Sequence, residues 1–480
     1  MDLERIESPG LAHYSYVLAD PHARVMAVVD PRRDIEAYLH HAARRSLRIA
    51  HIFETHIHAD YCSGARELAE ATGAPLHVSK YDEGETFTVS FPHQDLADNS
   101  EVECGAIRLR ALHTPGHTPE HLSFLVYDLA RSRDEAMAML SGDFVFVGSL
   151  GRPDLLGEEQ KRSLAHKMYR SVREKLSGLH DGLEIYPAHG AGSMCGSGMS
   201  GRAESTLGFE RITNPYLDPG LAESDFVERL LADVPPFPPY YRRMKKVNAA
   251  GPRRLRDRCS LPSLGAEQVE DMMARGGVVI DLRDQLAFGG GHIPGAFGIA
   301  LANLLPVWSA WVVPYDTPIA LVAEHEQDGL HGAVLLARVG LDNVAGVLEG
   351  GMNAWRDSGR EIAELPQISA PQLARTLASG DGGLTVLDVR SDREFEAGHV
   401  EGALHQFGGT LEGHLDQLPD KEAPLVITCG GGYRATVIAS VLERHGFRNL
   451  INLTGGMGAW NHAGLPVTAG RAPTKARAVT

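Results

Sequence analysis

Thr55-His56-Ile57-His58-Ala59-Asp60-Tyr61 decides how the first half of this chain is read. It follows the mostly apolar run Ile49-Ala50-His51-Ile52-Phe53, which has the length and character of a buried strand. In extended backbone, residues i and i+2 point to the same side. His56, His58 and Asp60 can therefore converge where a strand ends and a loop begins. Nitrogen and oxygen donors gathered in this way, with no thiolate among them, suit a catalytic zinc or iron ion.

Later segments repeat the arrangement. His117 closes the Pro-Gly bend of Leu112-His113-Thr114-Pro115-Gly116-His117-Thr118. Asp143 follows the apolar run Met137-Ala138-Met139-Leu140, and His189 ends Tyr186-Pro187-Ala188-His189-Gly190. A lone His among the 23 in the chain would best be read as structural, but four strand-end donor sets in one chain point to a metal centre. The order H-x-H-x-D, H, D, H resembles the metallo-β-lactamase superfamily, which implies an αββα sandwich. That signature ends in His where this chain has Tyr61, and in two-metal members the final His binds the second ion. One metal per chain is therefore expected.

Gly151-Arg152-Pro153-Asp154 and Gly190-Ala191-Gly192-Ser193-Met194-Cys195-Gly196, together with Tyr61, are similar to persulfide dioxygenases, a mononuclear iron branch of the superfamily. The resemblance implies that Fe(II), with zinc as the alternative, is held by His56, His117 and Asp143. This facial set leaves positions open for O2 and for the sulfur of a low-molecular-weight persulfide, glutathione or similar. It implies that His58, Asp60, Tyr61 and His189 stand behind the ligands and orient them. It also gives Arg152 a part in holding the site or the substrate's carboxylates, while an Arg in a Gly-Arg-Pro turn can equally be a structural ion-pair partner. Glu120 departs from the family, where Gly is common after T-P-G-H-T-P. Cys195 is not an expected ligand, and either touches substrate or packs.

The remainder of the chain is organised by a repeat. Val279-Ile280-Asp281-Leu282-Arg283 recurs as Val386-Leu387-Asp388-Val389-Arg390, and Gly291-His292-Ile293-Pro294-Gly295-Ala296 as Gly398-His399-Val400-Glu401-Gly402-Ala403. Gly350-Gly351-Met352-Asn353-Ala354-Trp355 recurs as Gly455-Gly456-Met457-Gly458-Ala459-Trp460. Three motifs in register over about a hundred residues mark two copies of one domain. Alternating β-branched runs and amphipathic stretches make each copy a parallel sheet with helices on both faces. These motifs resemble the rhodanese sulfurtransferases.

Only the second copy has matching chemistry. The strand Leu425-Val426-Ile427-Thr428 runs into Cys429-Gly430-Gly431-Gly432-Tyr433-Arg434, ahead of a helix expected from near Ala435. The three glycines let backbone N–H groups face a thiolate, and the helix N-terminus favours its charge. Cys429 is thus the expected sulfur carrier, with Gly430, Gly431, Gly432 and Tyr433 as its cradle. Arg434 closes the loop and attracts sulfite or thiosulfate. In the first copy Ile319-Ala320-Leu321-Val322-Ala323 leads to Glu324-His325-Glu326-Gln327-Asp328, which has no Cys and the wrong charge for an anion. It reads as a solvated loop of an inactive domain retained for packing.

The chain of 480 residues suits about three domains, and 43% hydrophobic residues supply their cores. No apolar run is long enough to span a bilayer, and the N-terminus is not a signal peptide, so no membrane is expected. A net charge of −16 argues against nucleic acid. Five scattered cysteines fit a reducing cytoplasm better than a disulfide framework. A homo-oligomer is compatible with the sequence.

The expected fold is α/β: an αββα sandwich over residues 1–247, then rhodanese-like doubly wound domains over 263–362 (inactive) and 366–468 (active), and a tail over 469–480. The four prolines of Val234-Pro235-Pro236-Phe237-Pro238-Pro239-Tyr240-Tyr241 exclude a helix or a central strand there. Arg242, Arg243, Lys245 and Lys246 read as a solvated face, and 248–262 as the linker. The expected activity is persulfide oxidation to sulfite coupled to sulfur transfer, in sulfide detoxification. The alternatives are a glyoxalase II-type thioester hydrolase with a metal-bound hydroxide, fused to a sulfurtransferase, and a non-catalytic sulfur-carrier scaffold.

Overall fold

The computed structural model describes residues 1–255, 261–380 and 383–470. It divides into two compact units, Met1–Arg258 with Ala337–Gly340, and Cys259–Leu336 with Leu341–Thr480. Most of the expected tail, and Arg256 to Ser260 of the expected linker, lie outside the described residues. Among the described residues no helix is long and apolar enough to cross a membrane.

The first unit holds two six-stranded sheets. One runs in sequence order through Asp2–Ser8, His13–Asp20, Val25–Val29, Arg48–Phe53, Leu76–Ser79 and Gln94–Leu96. The other is ordered Ser205–Thr206, Glu184–Pro187, Ala138–Gly142, Leu122–Asp128, Ile107–His113, Glu101–Cys104. Alternation along the strands builds three apolar layers. Tyr16, Leu18, Ala27, Val29 and Phe53 point inward, to meet Ile107, Leu109, Phe124, Val126 and Leu140 between the sheets. Their neighbours Val17, Ala19, Met26, Val28 and Ile52 point outward, against Tyr38, Ala42, Ala65 and Leu68 on helices Glu36–Arg45 and Ala65–Thr72. The helix Glu158–Lys175 covers the second sheet with Leu164, Ala165, Met168 and Val172, spaced along one face. Acidic residues fill its first turn and basic ones its last, as the helix dipole favours.

In the second unit, two five-stranded parallel sheets share one strand order. The first is Ser263–Leu264, Val344–Leu348, Ile319–Val322, Val278–Asp281, Phe297–Gly298. The second is Gln367–Ile368, Leu450–Leu453, Leu425–Thr428, Thr385–Asp388, Leu404–His405. The shared motifs turn out to be framework. Arg283 binds Asp281 and the carbonyl of Gly291, and Arg390 binds Asp388 and that of Gly398 in the same way. His292 stacks on Phe288, and His399 on Phe395, each at under 4 Å.

Three local expectations change. Tyr240 and Tyr241 open a helix, Tyr240–Ala250, because the last proline precedes its first turn and leaves its hydrogen bonds intact. That helix carries Asn248, so the linker does not begin there. Lys245 is not on a solvated face. It is 1% exposed, because the helix turns it toward the loop carrying His56.

Candidate metal and sulfur sites

The strand Arg48–Phe53 delivers His56 at its C-terminal end, the Pro-Gly turn after Ile107–His113 delivers His117, and Ala138–Gly142 delivers Asp143. All three side chains are buried, and their donor atoms lie within 4.8 Å of one another. His117 Nε2 is 3.2 Å and His56 Nε2 3.9 Å from Asp143 Oδ2. None of these three atoms has a hydrogen-bond partner. Three buried polar atoms converging with nothing between them are costly unless a cation joins them.

Every other polar atom of the set is held. Thr55 Oγ1 gives its proton to Asp30 Oδ2 at 2.8 Å, so at 2.9 Å it accepts from His56 Nδ1–H. The carbonyl of Arg152 accepts from His117 Nδ1–H at 2.8 Å. Both rings are therefore fixed with the Nε2 lone pair inward. Burial holds both imidazoles well below the usual histidine range and so neutral, as metal ligands must be. Asp143 Oδ1 takes a 2.7 Å bond from His189 Nδ1, and His189 Nε2 reaches Asp60 Oδ2 at 2.8 Å. Burial alone would lower His189, but Asp143 and Asp60 override it and raise it well above the usual range. His189 is thus a cation wedged between two carboxylates, steering Asp143.

Two other buried donor groups fit a metal less well. In Asp60, His189 and Cys195, both imidazole nitrogens are taken. In Asp30, Glu54 and His58, Thr55 occupies both Asp30 oxygens. His58 Nε2 lies 2.9 Å from Glu54 Oε2 and 3.2 Å from Asp30 Oδ1. Burial opposes its charge, yet the two carboxylates hold it up at about 10. Tyr61 fills the space beside this pair, its ring 4.0 Å from His13 and 4.6 Å from His58.

Arg152 is fully buried and binds Asp154 through two nitrogens. Its remaining reach goes to the carbonyls of Met194 and Pro235. With no nitrogen left for a substrate carboxylate, it braces the glycine-rich loop over the site. Gly151 is required beside it, since a Cβ there would stand 2.0 Å from the carbonyl oxygen of Asp143. Cys195 packs in that loop, its Sγ 3.7 Å from Tyr241 Oη, and burial pushes its thiol up to about 12.

Sequence reasoning missed His121, which takes the backbone N–H of Asp143 on Nε2 at 2.9 Å. It also missed Asp30, although that residue ends the strand Val25–Val29 much as Asp143 ends its own. The largest omission is the clamp on the His56–Tyr61 loop. Lys245 Nζ donates to the carbonyl of Ile57 at 2.8 Å and to Glu120 Oε1 at 3.3 Å, while Glu120 Oε1 accepts from the N–H of Ile57 at 3.1 Å. Asn248 Nδ2 binds the carbonyls of His58 and Tyr61.

In the second unit Cys429 follows the strand Leu425–Thr428 and is 1% exposed. Gly432 N–H donates to Cys429 Sγ at 3.1 Å, and the next helix starts at Tyr433 rather than Ala435. Gly430 and Gly431 complete the loop toward solvent. Gly456 must be glycine, as its Cβ would meet the Cys429 carbonyl oxygen at 2.3 Å at a φ of +52°. Arg434 closes the loop with a two-bond pair to Glu394 at 2.7 and 2.8 Å, so its charge is partly answered before any anion arrives. Asp281 pairs with Val322 as Asp388 pairs with Thr428, which puts Ala323 where Cys429 stands. The acidic residues after it are exposed, and the helix Glu326–Ala337 starts among them.

Comparisons agree with these two halves. The metallo-beta-lactamase superfamily model matches residues 9–189, and the rhodanese-like domain model matches 265–358 and 369–463. A crystal structure titled as a metallo-beta-lactamase from Staphylococcus aureus subsp. aureus COL is 31% identical, with a TM-score of 0.64. The match covers 72% of this chain and 98% of that one. A hydroxyacylglutathione hydrolase of Gloeobacter violaceus is 34% identical over 33% of this chain and 58% of its own length. The mitochondrial persulfide dioxygenase of Bos taurus is 27% identical over 45% of this chain and 75% of its own.

Proposed function

Because the chain belongs to the metallo-beta-lactamase superfamily and carries two rhodanese-like domains, we propose that it oxidises a low-molecular-weight persulfide with O2 and passes sulfane sulfur through Cys429. The observation that carries this reading is the set of three partnerless atoms, two imidazole nitrogens and one carboxylate oxygen. This donor set fits one Fe(II), which His56, His117 and Asp143 would hold and which would supply a Lewis-acidic redox centre. Thr55 and the Arg152 carbonyl keep the two rings aimed. His189 fixes the carboxylate and keeps a proton beside it.

Overall, persulfide, O2 and water give thiol, sulfite and two protons, with the outer sulfur losing the four electrons that O2 gains. In the second half, the Cys429 thiolate takes sulfane sulfur and gives it to sulfite, forming thiosulfate, or runs the exchange in reverse. The similarity to a hydroxyacylglutathione hydrolase favours thioester hydrolysis as the second reading.

One experiment separates the two. Protein purified without oxygen is assayed for metal content, for O2 uptake with glutathione persulfide and for hydrolysis of a glutathione thioester. About one iron per chain with persulfide-dependent uptake is expected. Two zinc ions with thioester hydrolysis and no uptake would overturn the proposal.

A further inference from the structure

His56, His117 and Asp143 are all but sealed from solvent, yet His56 stands in the wall of a cavity. The apolar part of that wall is Ile57, Val78, Val89, Phe91 and Pro252. The strand Leu76–Ser79 brings Val78, and the segment after it brings Val89 and Phe91. That segment is pinned between them, where Ser90 N–H donates to the Ala249 carbonyl at 2.9 Å. The chamber has a volume of about 30 Å³, and a wider basin of about 330 Å³ lies next to it. Exposed residues such as Glu70, Gly73 and Pro92 rim the basin. Arg66 and Phe91 belong to the walls of both. The Arg66 guanidinium lies 5.7 Å over the Phe91 ring, and it bonds Glu70 and the Gly251 carbonyl. This pair therefore divides an outer basin from an inner chamber that has His56 in its wall.

The polar residues of the inner wall are spent on the protein itself. Glu54 takes the hydroxyl of Ser63 and faces His58. Glu120 holds Lys245 and the Ile57 N–H, and Asp82 takes the Val89 N–H at 2.7 Å. Asn248 is occupied by the carbonyls of His58 and Tyr61. What remains for an entering molecule is apolar surface. Size narrows the choice. About 10–15 Å³ of such volume takes one water-sized molecule, so the chamber has room for a diatomic and none for a thiol persulfide. Charge agrees, since Glu54, Asp82 and Glu120 in the wall disfavour an anion.

We propose that this chamber is an O2 site and the route by which O2 reaches the metal cluster, with Arg66 and Phe91 as its gate, and that the persulfide does not use it. This rests on the dioxygenase reading. O2 is neutral, small and more soluble in apolar surroundings than in water, so a chamber of this lining concentrates it. Apolar cavities take up small nonpolar guests such as xenon for the same reason. A persulfide that carries carboxylates would have to strip them of water with no free cation to receive them, because Arg66 is committed to Glu70 and Gly251.

Full-length Val89→Phe and the milder Val89→Leu test this in two ways. Crystals under xenon gas report whether the chamber takes a nonpolar guest, independently of turnover. Initial rates of O2 uptake, with O2 and glutathione persulfide varied separately, report which substrate the chamber serves. Native protein should hold xenon among Val78, Val89 and Phe91, and Val89→Phe should exclude it. Val89→Phe should raise the KM for O2 about 3- to 10-fold, with the persulfide KM, the kcat at saturating O2 and the metal content unchanged. Val89→Leu should shift the O2 KM in the same direction by less. Native crystals without xenon in the chamber would overturn the proposal. So would a variant that excludes xenon and keeps the native O2 KM, or one that raises the persulfide KM instead. If the native protein takes up no O2 with a persulfide, the dioxygenase reading fails and this inference falls with it, whether or not xenon binds.

Discussion

Replacing Lys245 with Met removes an ammonium and keeps most of the stem's volume. The native Nζ gives a 2.8 Å bond to the Ile57 carbonyl and faces Glu120 at 3.3 Å, with both side chains nearly inaccessible. Burial draws the lysine's pKa down, and Glu120 opposes this. Losing the cation leaves the Glu120 carboxylate buried without its partner, and breaking a buried pair in this way costs about 3–5 kcal/mol. Adding Glu120→Gln should recover about 1–3 kcal/mol of that. The amide oxygen can still accept from the Ile57 N–H, and no charge is left stranded. The coupling is read by hydrogen exchange across a urea series, using peptides that cover residues 49–62. Peptides around Cys429 monitor the other unit. Because Ile57 sits between His56 and His58, metal affinity in Lys245→Met should also fall about 10-fold or more. A single variant costing under about 1 kcal/mol, or a double variant as unstable as the sum of its parts, would refute the clamp.

His189→Gln should retain metal but lose about 10- to 100-fold in activity, since Asp143 then lacks its cationic brace; metal analysis beside O2 uptake checks this, and unchanged turnover contradicts it. Cys429→Ser should abolish thiosulfate sulfur transfer and leave persulfide-dependent O2 uptake in place. Transfer that survives in this variant would mean that another cysteine is the carrier. Glu394 supplies a pH test. Burial would raise its carboxyl, but Arg434 and the Ser391 cap bring it down to about 2 from an ordinary 4.5. Its contribution is therefore present above about pH 4.5 and lost as the pH falls toward 2. Discounted for its exposure, that contribution is about 1–2 kcal/mol. Glu394→Gln should flatten the acid limb of the stability curve measured on Cys429-loop peptides, and an unaltered limb would show that the pair contributes nothing.

The donors were legible because strand-end spacing aims side chains locally. His56, His117 and Asp143 each sit where an apolar run meets a turn. Their supports were not, since they come from far along the chain. Lys245 reaches Ile57 across 188 residues, and a basic helix with one lysine turned inward has the same composition as one fully in water. Arg152 was left with two readings for a related reason. A guanidinium in a Gly-Arg-Pro turn can face substrate or backbone, and only the positions of Asp154, Met194 and Pro235 decide which. The repeat was read correctly as two copies, but contacts between them, such as Tyr433 with the Ala300 carbonyl, are encoded by no motif.

The twin Asp–Arg and His–Phe pairs bear on how such a chain can change over generations. Because these pairs hold the sheet and both copies carry them, although only one has the cysteine, their presence carries no information about turnover. Loss of chemistry after duplication needs only the residue at 323 to drift. Recovery is harder. Restoring Cys at Ala323 would set a thiolate before Glu324 and Glu326, with the following helix already begun and no glycines to turn amides inward. Losing the cysteine takes one substitution, and regaining a cysteine loop requires rewriting the whole segment at once.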